Sequence, residues 1–282
     1  MTSLLMLFCA LGMIRCDTNS DTKNFDQDQP SGALLMEPSR TTSIAVCDPE
    51  IAEILVRLGA ASEVIAVDTD SLRIAGLTNP TDLGTGCSDL ARLSPILAPD
   101  AILGLGASQE EPKPSKTSRP MSTARRWDFD PKDLDEIIDV IRRLGVIAER
   151  EDRAGIEIAA MTHAIASIAI RRDGRTRKNV VWVIDREPLT VVGAIGLLHD
   201  LLELAGAENA FHDSSGPRLV ASLEDIRKSS PNVVLLSVGN EDLAKTLQLP
   251  VRVIPGNLAR VPTLTPVGRV RALHDILYSE DP

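Results

Sequence analysis

The sequence predicts an α/β protein of two lobes, each a mostly parallel sheet covered by helices, joined by one long linking helix. Two observations carry this. Short apolar runs bounded by Gly, Pro and Asp alternate with amphipathic helical patterns, the rhythm of a parallel sheet covered on both faces, and the series restarts after residue 173. Between the two series, residues 149–172 (EREDRAGIEIAAMTHAIASIAIRR) read as a single helix: Ala154, Ile156, Ala159, Ile165 and Ile168 recur at about helical spacing, and no Gly or Pro interrupts after Gly155. At ~1.5 Å per residue such a helix spans roughly 35 Å, the width of a small domain, so it suits a strut between lobes. Asp173 and Gly174 supply its stop. The other reading of this segment is a covering helix of one larger α/β domain.

The chain is expected to divide into a leader (1–16), a polar tether (17–41), a first lobe (42–148), the linking helix (149–172) and a second lobe (173–282). The opening MTSLLMLFCALGMIR is apolar but too short to span a bilayer, the size of a signal-peptide core, although the usual basic start is missing. After Cys16 comes an Asp-, Asn-, Ser- and Gln-rich stretch with too little apolar surface to order itself. Apolar run, single Cys and tether together resemble a bacterial lipoprotein, with Cys16 as the lipidated residue; Arg15 departs from the small residue expected before it. Cys47 and Cys87 read as two buried small side chains, with a disulfide in an oxidising compartment as the alternative.

From residue 42, SIAV reads as a buried strand and DPEIAEILVRLG as a helix with clear ends: Asp48 at the N-cap, Pro49 at the first helical position, Gly59 at the stop. Ile51, Ile54, Leu55 and Leu58 form its core face. SEVIAV is the next strand, residues 81–87 a Gly-punctuated turn, SDLARLSPILAPD a lead into the strand AILGLG. Residues 107–126 are Ser-, Pro-, Lys- and Glu-rich and read as a long exposed loop; DFDPKDLDEIIDVIRRLG then returns to helix. In the second half NVVWVID is a strand, residues 193–196 a turn, LLHDLLELAG a helix ended by Gly206, SLEDIRKSS another helix, VVLLS and VRVIP strands, and VGRVRALHDILY the closing helix.

Charge and composition narrow the function. A net charge of -10 opposes nucleic-acid binding, which needs a concentrated positive face. Aromatic residues are 2% of the chain, so a ligand site has little recourse to stacking. The only support for an α/β oxidoreductase is Gly104-Leu105-Gly106 after a strand, and the SQEEPKP beyond it cannot open the helix that a dinucleotide site requires. No nucleophile elbow, P-loop or HExxH occurs, and four scattered His give no metal-ligand spacing.

The ordered segments IAVCDPEIAEILVRLGAASEVIAV, LGTGCSDLARLSPILAPDAIL, VVWVIDREPLTVVGAIGLLHDLLELAGAENAF and SLEDIRKSSPNVVLL resemble the helical-backbone solute-binding proteins of ABC importers, the group that handles cobalamin, haem and ferric siderophores. The likeness runs over residues 42–278, with a gap at the Pro-rich loop, where the family has a further helix and strand. It implies a non-enzymatic, exported monomer without a cofactor or metal of its own, tethered to a membrane through its lipid, capturing a corrinoid or metal chelate between its lobes for a permease. A cargo sensor that has lost transport is the alternative.

In open parallel sheets ligands settle at the carboxyl ends of strands. That rule points to Cys47 and Asp48, to Asp68 and Asp70, to Gly86 and Cys87, and, by the family pattern, to Gly193 and Gly196; for Asp48 a helix cap and nothing more is the preferred reading. The resemblance adds Arg218 and Arg260 as guanidinium contacts for a cargo carboxylate or phosphate. His199, ahead of His212, is the candidate iron ligand were the cargo haem. For permease docking the family pattern gives Glu224 in the second lobe; in the first it falls on Arg92, a reversal of sign that leaves Asp89 as the substitute.

Overall fold

The computed structural model describes residues 42–106, 124–171, 176–237 and 242–278. The leader, Cys16, the tether, most of the Pro-rich loop and the Asp173-Gly174 stop lie outside them.

The first lobe is a five-stranded sheet of β1 (Ile44–Val46), β2 (Val64–Val67), β3 (Thr81–Asp82), β4 (Ala101–Leu105) and β5 (Arg125–Phe129), in the order β3-β2-β1-β4-β5. Every pairing is parallel, so all five strands end on one edge. Helix α1 (Pro49–Arg57) forms as its sequence directs: the Asp48 side chain accepts from Glu50 N at 2.8 Å. At its far end Gly59, with φ of 77°, lets Gly59 N reach Val56 O and Ala60 N reach Leu55 O, both at 2.9 Å. Helix α2 is Leu90–Leu97 and α3 is Leu134–Ile147, the latter capped by Asp133.

Two expectations need correction here. The predicted loop ends early, because β5 starts at Arg125; this supplies the strand missing from the family pattern. And the run DFDPKD is not helical: Asp128 and Phe129 belong to β5, and α3 begins only after its Asp133 cap.

The linking helix is present as α4 (Glu151–Arg171), 21 residues and therefore roughly 30 Å long. Its buried side is Ala154, Met161, Ile165 and Ile168; Ile156, counted among the core positions by spacing, is 63% exposed, and Ala159 faces out as well. α4 lies along α3 so closely that a Cβ on Gly145 would stand 2.5 Å from the Ala154 Cβ.

The second lobe is a six-stranded sheet: β6 (Lys178–Arg186), β7 (Leu189–Val192), β8 (Ala207–Asn209), β9 (Arg218–Val220), β10 (Val233–Ser237) and β11 (Val251–Ile254), in the order β11-β10-β6-β7-β9 with β8 on β6. Most of it is parallel, but β7 runs antiparallel to both β6 and β9. Four helices cover it: α5 (Leu197–Ala205), α6 (Leu223–Lys228), α7 (Asp242–Leu247) and α8 (Pro266–Tyr278). One hydrophobic cluster runs from Ile44 and Val46 through Ile165 and Ile168 of α4 to Val180 and Trp182, so a shared core holds the two sheets on either side of the helix.

Candidate functional site

Because the first sheet is wholly parallel, its carboxyl edge gathers the ends of β1, β2, β3, β4 and β5 into one rim. After β1 stand Cys47 and Asp48. After β2, buried Asp68 accepts a hydrogen bond from the Ser71 hydroxyl, while Asp70 faces solvent. Gly86 takes a φ of 58° in the turn after β3, with open space where a Cβ would go. Cys87, next to it, is joined to Cys47: the Cα atoms are 5.4 Å apart, 40 residues apart in sequence. The reading of two free buried thiols is thereby corrected, and the bridge ties the turn after β3 to the end of β1, two strands away.

The second lobe meets this rim along two seams. In the first, Arg260 reaches across to Asp48, Nη2 to Oδ2 at 3.1 Å. Beside it, the Glu50 carboxylate accepts from the Thr263 hydroxyl at 2.6 Å, from Leu264 N at 2.5 Å and from Arg269 Nη2 at 2.8 Å. Arg269 also donates to Arg260 O. Burial pushes the Asp48 carboxyl up to about 6, against the pull of the Glu50 N–H and Arg260. Burial lowers Arg269 too, more than Glu50 restores it. Behind this seam α1, α4 and α8 enclose an open groove of about 900 Å³.

The second seam encloses a cavity of about 430 Å³, lined by Asp130 to Lys132 from the first lobe and by Ile195 to Leu198, Pro217, Arg218, Val261 and Pro262 from the second. Gly196, with φ of 98°, precedes α5 here, and a Cβ on it would stand 3.6 Å from Lys132 O. Arg218 is exposed on β9, 3.9 Å from Asp185, and Lys132 pairs with Asp130. Close by, burial raises the carboxyl of Asp200, which accepts from Leu134 N at the start of α3.

Of the residues singled out from sequence, Asp48 and Arg260 thus form one interlobe pair, and Gly196 and Arg218 share one cavity. Gly193 has a packing reason to be glycine: a Cβ there would stand 2.0 Å from Gly216 O. His199 is half-buried, its Nδ1 3.3 Å from Asn209 Nδ2. Glu224, on α6, is exposed and pairs with Lys228 at 2.7 Å; Asp89 pairs with Arg92 at 3.2 Å. Sequence reasoning passed over Glu50, Arg269, Lys132 and Pro262. Glu50 and Arg269 lie 219 residues apart, and no local pattern links them. Lys132 could have been found, since it follows a strand of a parallel sheet, had β5 been recognised.

Among the described residues no group of three or more His, Cys, Asp or Glu could hold a metal ion. Two α/β lobes that meet over a half-open, mostly apolar cavity with Lys132 and Arg218 in its lining define a class, the two-lobed shell that holds a small molecule between its halves. The chain belongs to the periplasmic binding protein family: the family pattern described as "Periplasmic binding protein" matches residues 44–248. Among curated proteins, the vitamin B12-binding protein of Salmonella paratyphi A is 24% identical over 131 residues, 46% of this chain and 47% of its own. The chain thus spans about half the length of the curated relatives it matches. Among solved structures, an ABC transporter substrate-binding protein from Listeria monocytogenes superposes with a TM-score of 0.69 at 17% identity, over 86% of this chain and 100% of that one. The periplasmic haem-binding protein of Vibrio cholerae gives 0.66 at 18%, over 85% and 100%. The periplasmic vitamin B12-binding protein of the same organism gives 0.61 at 17%, over 83% and 96%. At these identities the likeness is one of fold.

Proposed function

We propose that this protein is an exported receptor that captures a corrinoid between its lobes and hands it to the permease of an ABC importer. The observation that carries the reading is the interlobe cavity at the rim of strand ends, with Lys132 and Arg218 at its wall and Arg260 on the adjoining seam. Those cations suit the phosphodiester of a cobalamin. The match to vitamin B12-binding proteins supports the same cargo. Asp48, Asp68, Asp70, Gly86, Gly196 and Arg260 are the proposed ligand surround, and exposed Glu224 and Asp89 the docking carboxylates, one per lobe. No helix among the described residues is long and apolar enough to cross a membrane, and lipidation of Cys16 is the proposed means of attachment.

A second cargo class, haem or a ferric siderophore, is favoured by structural neighbours that include haem-binding proteins and an Fe3+-hydroxamate transport protein. The Asn209 contact of His199 argues against that histidine as an axial ligand. Native mass spectrometry with an absorption spectrum, on protein purified from its own host, tests the reading. Corrinoid bands with one bound corrinoid per chain are expected. A Soret band or a ferric chelate spectrum would transfer the site to the second class, and protein that stays colourless after incubation with all three cargoes would overturn both.

A further inference from the structure

Asp48 and Arg260 face each other across the lobes from unlike surroundings. The Asp48 side chain is 6% exposed, the Arg260 side chain 57%. Oδ1 of Asp48 is committed to Glu50 N, which leaves Oδ2 for the guanidinium. Glu50 cannot take over Arg260, because Arg269, Thr263 and Leu264 already occupy it. The charged groups at this point are therefore two carboxylates of the first lobe, Asp48 and Glu50, and two guanidinia of the second, Arg260 and Arg269. Only Arg260 among the four is open to solvent.

We propose that Asp48 is a positioning residue for anionic cargo: it holds Arg260 on the seam adjoining the cavity, competes with the cargo's phosphate or carboxylate for that guanidinium, and takes up a solvent proton when the cargo prevails. This rests on the reading of Arg260 as a cargo contact. Once an external anion neutralises Arg260, Asp48 loses its attraction and gains a like charge nearby, while burial and Glu50 still disfavour the carboxylate. Its affinity for a proton must then rise above the free protein's, where the carboxyl stands at about 6. By linkage, cargo affinity increases as pH falls, by at most about tenfold per unit, and levels off below the free protein's value. The arrangement would also discriminate: a neutral cargo gains nothing from displacing Asp48.

The test titrates the full chain and two variants, Asp48→Asn and Arg260→Gln, with vitamin B12, haemin and ferric citrate between pH 5.5 and 8.5, following cargo absorbance. Asn caps a helix about as well as Asp, so the first variant retains α1. For whichever cargo binds, the wild type is expected to weaken several-fold from pH 6 to 8, Asp48→Asn to bind tightly with no slope, and Arg260→Gln to bind weakly with no slope. Calorimetry in buffers of different ionisation enthalpy should give uptake of up to one proton at pH 7 in the wild type and none in Asp48→Asn. Equal slopes in wild type and Asp48→Asn would overturn the linkage while leaving capture intact. Failure of all three cargoes to bind any form would overturn the receptor reading itself.

Discussion

The two seams between the lobes are built on opposite principles. At α1 and α8 two carboxylates and two guanidinia meet, all but Arg260 largely shielded from solvent, and both oxygens of Glu50 are engaged. At the β5 and β7 ends Asp200 of α5 accepts from Leu134 N of α3, and beside that contact the lobes border a largely apolar cavity. A desolvated charge pair is costly to assemble and costlier to break, whereas an open apolar wall tolerates change. Substitutions at the ionic seam are therefore expected to cost more stability than substitutions at the other.

The largest effect should come from breaking the ionic seam. Glu50→Ala strands a buried Arg269 and removes acceptors from Thr263 and Leu264, and is expected to cost about 3–5 kcal/mol in urea unfolding. Next is Asp48→Asn, whose effect should depend on pH. A carboxyl raised from 3.8 to about 6 favours folding below its unfolded value and loses that contribution as pH climbs through 6. The difference is about 3 kcal/mol at most, so the variant should match the wild type at pH 4 and exceed it by about 1–3 kcal/mol at pH 7.5. No gain at pH 7.5 would mean that the pairing with Arg260 outweighs the burial of Asp48. The smallest effect belongs to Arg218→Ala on the open seam: stability within about 0.5 kcal/mol, with cargo affinity reduced. A large loss of stability there would make the second seam as structural as the first.

What the sequence made legible was local. α1 could be read to its ends because Asp48, Pro49 and Gly59 each do one backbone task within a few residues. α4 was legible as a helix and in part of its buried face, Ala154, Ile165 and Ile168, but Ile and Ala line most of it and packing, not composition, decides that Met161 turns inward and Ile156 and Ala159 outward. β5 was obscured because Arg125, Arg126 and Asp128 make an edge strand look like the end of the preceding polar loop. The antiparallel β7 and β9 escaped because their register depends on partners and not on a period of their own. The Cys47 and Cys87 bridge, like the Glu50 seam, depends on where distant segments arrive after folding.

The chain has two tryptophans, and the fold gives one to each lobe. Trp182 on β6 is completely buried; Trp127 on β5 is half-buried, with the Arg125 guanidinium 5.1 Å above its ring. Their fluorescence should therefore separate by colour and by access to a quencher, blue and shielded for Trp182, redder and reachable by iodide for Trp127. Each half of the molecule carries an optical probe of its own, and the one in the first lobe is the one a solute can darken.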